Sequence, residues 1–501
     1  MGTIDYLLLG FSTLFKLNNL LACFIGVFTG TLIGVLPGIG PTATMAILLP
    51  FTFGMDPTPA IVMLAGIYYG AQYGGSTTSI LVNIPGEVGS IVTCLDGYQM
   101  ARKGRAGPAL GMAAMGSFIG GTLSVIGLML LSPLLAKLAI GFGPPELFSL
   151  IILGLLMVSS IGTGSLARSL IMVTLGIFAS TIGIENMKGF DRFTLGSLTL
   201  ADGLGIIPVS VGMFGMAELL TNVEIMAKQE VFKTNLRNLF PSLKDWSLSR
   251  WAVIRGTLVG FFLGILPGAA TVLPTFYSYA IEKRFSKYPE KFGTGVIEGV
   301  VGPETANNAA STGSMVPLFA LGIPPSVVMA MLLGAFIIHG IQPGPFFISD
   351  HPKLFWGIIA SMYISNVMLL ILNLPLIRMW IQILKVPYRL LFPLITIFCF
   401  IGVYTGSNNF YELMIMVFFG FLGYILRKIE YEAGPFIMAM VLGPMMETSL
   451  RQSMTISMGD PAIFVKRPIS AGLLILVFVM VVYPPLLKAL RKGRLMDEDA
   501  G

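Results

Sequence analysis

Residues 30–40 read GTLIGVLPGIG, and residues 260–270 read GFFLGILPGAA. Each stretch ends an apolar run with glycines four apart and then a Leu-Pro-Gly turn. Glycines at that spacing share one helix face and let a second backbone approach closely. The following Pro-Gly ends the helix, because proline cannot donate and glycine accepts unusual dihedrals. Gly38-Ile39-Gly40-Pro41-Thr42-Ala43 also fits the loose dinucleotide-loop pattern G-x-G-x-x-A. That pattern needs a strand and a soluble βαβ unit, whereas an apolar helix precedes the turn here. The second copy has Ala270 at the second glycine, and no Gly-Lys-Ser/Thr follows to make a phosphate loop.

Composition puts both turns in a membrane. The chain is 55% hydrophobic and 11% charged, against about 25% charged in soluble domains. Asp, Glu, Lys and Arg are absent from 17–55, 57–86, 106–136, 147–167, 256–281, 305–349, 354–377, 390–411 and 468–487. A helical span needs about 20 mostly apolar residues. The fold class expected is therefore an all-α polytopic membrane protein with about 10–12 spans. The first apolar run continues to Pro37 with no small-x-small cleavage site, so it reads as a retained span and not a signal peptide. The basic residues cluster in short loops, at Arg102-Lys103-Gly104-Arg105, 228–255, Arg427-Lys428 and Lys488 to Arg494. These mark cytoplasmic loops and not a nucleic-acid surface. Cys23, Cys94 and Cys399 lie far apart and read as packing residues.

Two segments differ from plain spans. Residues 41–100 and 269–325 are apolar but interrupted, at Pro50, Pro57, Pro59, Gly74-Gly75 and Pro85-Gly86, then at Pro274, Pro303, Pro317 and Pro324-Pro325. Interrupted backbone at membrane depth persists only where protein covers it or water reaches it. The segments also correspond. Gly26, Gly30, Gly34, Leu36, Pro37 and Gly38 match Gly256, Gly260, Gly264, Leu266, Pro267 and Gly268, and YGGSTTSILVNIPGE answers NNAASTGSMVPLFALGIPPS. This predicts a duplicated chain. The expected units are a first half at 1–225, a basic connector at 226–255, a second half at 256–450, and a last span with a charged tail at 451–501. Paired broken helices at matching places point to a secondary transporter's binding site.

The polar residues there suit a carboxylate. Ser76, Thr77, Thr78 and Asn83 in the first segment, and Asn307, Asn308, Ser311, Thr312 and Ser314 in the second, offer hydroxyl and amide donors. Half-helix N-termini add partial positive charge. The bland alternative for these side chains is interhelical hydrogen bonding. Glu87 and Glu304 are ionisable groups inside apolar surroundings and are candidates to bind or relay a coupling cation; capping a helix at the interface or pairing with a loop Arg is the alternative. The carbonyls at Gly38 and Gly268 are further cation candidates, if those turns do more than pack. Asp96 reads as a turn or cap residue, His339 as a satisfied core histidine, and His351 as isolated. No nucleophile–base triad, metal cluster or nucleotide motif stands out, so neither an enzyme nor an ATP-driven motor is expected.

Five long motifs together resemble the large membrane subunit of the tripartite tricarboxylate transporter family (TctA-type). They are GVLPGIGPTATMAILLPFTF, GIYYGAQYGGSTTSILVNIPGE, DGYQMARKGRAGPALG, GPETANNAASTGSMVPLFALGIP and LLGAFIIHGIQPGP. The resemblance covers roughly 17–450. It implies a multi-pass permease of the bacterial inner membrane with two partners, a small membrane subunit and a periplasmic solute-binding protein. It further implies import of citrate-like organic anions, coupling to a Na⁺ or H⁺ gradient, no other cofactor, and an elevator-type fold. Two departures stand out: Pro41 where the family often has glycine, and Ile323-Pro324-Pro325 where Ile-Pro-Gly is common. A passive channel for organic anions and a non-transporting structural subunit are the competing readings.

Overall fold

The structure is a computed structural model that describes residues 2–36, 40–161, 165–185, 189–224, 239–268, 272–384, 386 and 388–481. Its helices are α1 (Thr3–Leu14), α2 (Leu17–Val35), α3 (Pro41–Leu48), α4 (Pro57–Val82), α5 (Ile91–Arg102), α6 (Ala106–Ala139), α7 (Pro144–Ile161) and α8 (Leu166–Ser180). They continue with α9 (Ile206–Glu224), α10 (Leu243–Ile265), α11 (Val272–Phe285), α12 (Glu298–Gly313), α13 (Met315–Leu321), α14 (Val327–Ile338), α15 (Pro352–Asn373), α16 (Tyr388–Ser407), α17 (Phe410–Lys428) and α18 (Ala433–Ile456). Among the described residues the one departure from an all-helical fold is a two-residue antiparallel ladder, Gly183–Ile184 against Asp191–Arg192. Among the described residues six helices are long and apolar enough to cross a membrane, and shorter apolar helices include Pro468–Val481.

The glycine faces do pack, and their register gives direction. A Cβ on Gly26, Gly30 or Gly34 would lie 2.2, 2.3 or 2.5 Å from the carbonyl oxygen of Met63, Ile67 or Ala71. Both numbers rise together, so α2 and α4 run parallel. The chain must therefore travel back between them, and it does so through residues 41–56. The apolar helical stretch Pro41–Thr52 covers roughly 18 Å at 1.5 Å per residue, short of the ~30 Å of a bilayer core. The second set repeats this geometry. Gly256, Gly260 and Gly264 sit against the carbonyls of Gly302, Ala306 and Ala310 at 2.6, 2.3 and 2.4 Å by the same measure. Hence α10 and α12 are also parallel, with α11 as the return.

The two sets then cross in opposite directions. Tyr69 bonds Thr312 and Ser76 bonds Glu304, so residue numbers rise along α4 as they fall along α12.

Where the helices break differs from the sequence expectation. Gly74 and Gly75 lie inside the unbroken α4. The conformational cost of helical glycine is offset by close approach: a Cβ on Gly74 would meet the Thr31 carbonyl at 2.6 Å. Pro274 and Pro303 likewise sit within α11 and α12. The real break after α4 is at Asn83, with φ 60° and ψ 30°. After α13 it is at Gly322, with φ 71° and ψ 18°. Both are left-handed, the conformation that asparagine and glycine tolerate best. Each break ends on an N-cap of nearly the same shape. Glu87 has φ −147° and ψ 165° and accepts from Gly89 N–H at 2.8 Å. Ser326 has φ −146° and ψ 165° and accepts from Met329 N–H at 3.3 Å.

Two further expectations change. The charge-free run that begins at 256 belongs to a helix that starts earlier, at Leu243, because Ser242 caps it through Asp245 N–H at 3.2 Å and Arg105 pairs with Asp245 at 2.8 Å. His339 is no satisfied core residue. It follows α14, is half-buried, and its Nε2 has no partner among the described residues.

Candidate functional site

A cavity of about 410 Å³ opens where the two breaks meet α9 and α17. Its floor is built from the starts of helical segments. Gly40 to Ala43 open α3, Gly86 to Val88 form the first break, Val272 opens α11, and Ser326 to Val328 open α14. Four helical segments thus present their N-terminal turns to one space. The first-turn N–H groups of a helix lack intrahelical partners and carry partial positive charge. Tyr68, Gln72 and Glu87 add side chains from the same side. The facing wall is Phe214 and Glu218 of α9 and Arg427 of α17. A π-turn at Val211–Met216 shifts the register of α9 just before Glu218, a device frequent at functional sites. Arg427 and Glu218 are 2.6 Å apart.

Behind the floor lies a buried polar layer that joins the two sets. Glu87 accepts from Asn307 Nδ2 at 2.7 Å. The fully buried Glu304 accepts from the Ser76 and Thr93 hydroxyls. Tyr69 and Thr312 share a hydrogen bond. Asn308 donates to Ser117 Oγ at 2.8 Å, and Ser117 in turn donates to the Glu304 carbonyl at 3.2 Å. Interhelical bonds of this kind contribute about 0.6 kcal/mol each in membrane proteins. The layer as a whole fixes how α4, α5, α6 and α12 sit together.

The residues singled out from sequence fall into three groups, with Thr77 and Asn83 outside them. Glu87 lines the cavity. Ser76, Asn307, Asn308, Thr312 and Glu304 form the layer behind it. Thr78, Ser311 and Ser314 turn back onto Gly75, Asn307 and Ser311 carbonyls. Thr77 is buried beside Ser117 and Asn373 in a separate, much smaller void. Asn83 stands apart, exposed at the end of α4. Its left-handed backbone explains the side chain without a ligand. Asn83→Gly is therefore expected to keep wild-type uptake, while Asn83→Val lowers stability by about 1–2 kcal/mol; a melting curve and an uptake assay on both variants check this.

Gly268 has φ +78° and its N–H donates to the Pro325 carbonyl at 2.8 Å, tying the second Leu-Pro-Gly turn to the second break. Gly38 lies outside the described residues. Asp96 is not a local turn residue. It is buried within α5 and accepts from Gly293, Gly295 and Val296 N–H at 3.0, 2.6 and 2.8 Å, and from Tyr279. Sequence reasoning missed Tyr68, Gln72, Glu218, Ser326 and Arg427 as cavity residues. Only Arg427 carried a signal, a cation close to the end of an apolar run.

Residues 20–438 match the tripartite tricarboxylate transporter TctA family. Among curated proteins, the chain is 48% identical over 501 residues, the full length of both, to an Agrobacterium vitis protein named "Uncharacterized 52.8 kDa protein in TAR-I ttuC' 3'region". A second protein from that organism, "Uncharacterized protein in TAR-II ttuC' 3'region", is 51% identical over 235 residues, 47% of this chain and 97% of its own length. No solved structure matches. With several apolar helices long enough to span a bilayer and a family match over most of its length, this chain belongs to the TctA family of tripartite tricarboxylate transporters, as a multi-pass membrane protein.

Proposed function

We propose that this chain is the large permease subunit of a binding-protein-dependent secondary transporter that imports citrate-like organic anions across the inner membrane. A periplasmic solute-binding protein delivers the anion, and a small membrane subunit completes the assembly. The observation that carries the reading is the convergence of four helix N-terminal turns and Arg427 on one cavity of about 410 Å³. Such a space attracts carboxylates, and backbone donors can release them again. The cavity walls serve as the substrate contact, and the buried layer of Ser76, Asn307, Asn308 and Thr312 holds them in place. Coupling to Na⁺ or H⁺ is assigned to Glu87, at the first break, and Glu304, in the buried layer behind it.

The architecture favours an inverted duplication with an elevator-type cycle. Matching parallel helix pairs, matching left-handed breaks and matching N-caps, crossed in opposite directions, support it. On this reading 10–12 segments cross or enter the bilayer, with the shorter helices as the re-entrant and tilted members. The halves are 1–225 and 256–450, joined by the basic stretch between them.

The test is citrate uptake into proteoliposomes holding the permease and both partners. Accumulation is expected with an imposed Na⁺ or H⁺ gradient and abolished when both are collapsed. Uptake that persists without either gradient would sink the coupling assignment, and flux that never saturates would favour a channel.

A further inference from the structure

We infer that Arg427 is the substrate-anchoring residue on the wall opposite the breaks, with Glu218 occupying its guanidinium until a carboxylate of the substrate replaces it. This rests on the anion-site reading and deepens it, because it requires the cargo to carry at least two carboxylates.

The charges around the cavity make the case. Three charged side chains line it: Glu87, Glu218 and Arg427. Glu87 is held within the floor by Asn307 Nδ2 and Gly89 N–H. Glu218 instead meets Arg427 at 2.6 Å, with side-chain exposures of 19% and 38%. An incoming carboxylate takes over the guanidinium that Glu218 gives up, so Arg427 stays paired through the exchange. Arginine suits the exchange, because its planar fork donates to either carboxylate in the same geometry.

The two breaks differ in one residue that matters. Their N-caps share nearly the same backbone conformation, yet the first is Glu87 and the second is Ser326. The first helical turn therefore already has a carboxylate of the protein's own. The second is capped by a neutral hydroxyl, and its partial positive charge is left for a carboxylate from solution. The cavity thus makes two kinds of demand for negative charge: the helix turns that no carboxylate caps, at the starts of α3 and α11 and at Ser326 to Val328, and Arg427 once Glu218 is displaced. Small di- and tricarboxylates meet both demands. A monocarboxylate meets one and leaves Glu218 on Arg427.

The experiment titrates citrate, succinate and acetate into the full-length permease in nanodiscs by calorimetry, with melting temperature as the folding control. Wild type is expected to bind citrate and succinate and to bind acetate at least tenfold more weakly. Arg427→Gln is expected to weaken citrate and succinate at least tenfold and to leave acetate unchanged. Glu218→Gln removes the competitor and is expected to tighten citrate severalfold, a gain that a purely structural ion pair does not give. If Arg427→Gln fails to fold, Glu218→Gln decides alone. Unchanged citrate affinity in Arg427→Gln, or unchanged or weakened affinity in Glu218→Gln, overturns the inference while wild-type binding keeps the anion site standing. Wild type binding none of the three acids removes the anion site and this inference with it.

Discussion

Gly260→Val yields no folded permease. The Cβ position at Gly260 lies 2.3 Å from the Ala306 carbonyl oxygen, 2.7 Å from the Ala306 Cα and 2.8 Å from its carbonyl carbon. All three are backbone atoms, so no rotamer change relieves the clash. The helices α10 and α12 would have to separate along their whole length, since Gly256 and Gly264 make the same contact one turn away on each side. Separation unseats α12, and with it the Glu304 and Asn307 bonds to the first set. The expected result is loss of the monodisperse peak in size-exclusion chromatography. Gly40→Ala is the matched control. Nothing lies within 4 Å of its Cβ position, and its φ of −73° suits alanine. It should elute and melt as wild type; an intact Gly260→Val peak would show that the register of α10 on α12 is wrong.

Glu304 separates shape from charge. It is fully buried, and both carboxylate oxygens accept from hydroxyls, Ser76 on one and Thr93 on the other. Glu304→Ala leaves those hydroxyls without their acceptor and opens a void between α4, α5 and α12. Unmade buried hydrogen bonds cost about 1–3 kcal/mol per group, so a fall of several degrees or more in melting temperature is expected. Glu304→Gln keeps the volume and one acceptor oxygen and should fold. If Glu304 carries the coupling charge, the glutamine variant loses gradient-driven accumulation while counterflow exchange of citrate across the membrane continues. Uptake in Glu304→Gln that still follows the imposed gradient removes Glu304 from the coupling role and leaves Glu87.

How much of this was legible in the sequence depends on the kind of interaction. The Gly-x-x-x-Gly faces were, because close backbone approach demands an absent side chain at a fixed spacing. Their parallel direction was not, since spacing along one helix says nothing about the partner's sense. Gly74-Gly75 misled for a physical reason. Glycine weakens an isolated helix, but here Thr31 and Gly34 press against α4 and hold it helical. The polar clusters were legible as special, and what could not be read was their depth. Ser76, Asn307 and Thr312 bond across the two sets behind the cavity, while the cavity itself is lined by helix starts that come together only in the fold. Arg427 looked like an ordinary loop cation because its importance comes from α9, which reaches it only in three dimensions.

The bonds that close the polar layer also dictate an order of assembly. Glu87 finds its amide donor 220 residues downstream, and Asp96 finds its backbone donors 197 to 200 residues downstream. A chain emerging from the ribosome at its N-terminus thus enters the membrane with two carboxylates whose long-range partners have not yet been made. The first set must wait, half-satisfied and wet, until α12 arrives and crosses it. Its final burial is a late step of biogenesis, and a truncated chain ending before residue 293 would present an acidic, unfinished surface to whatever quality-control protease patrols the bilayer.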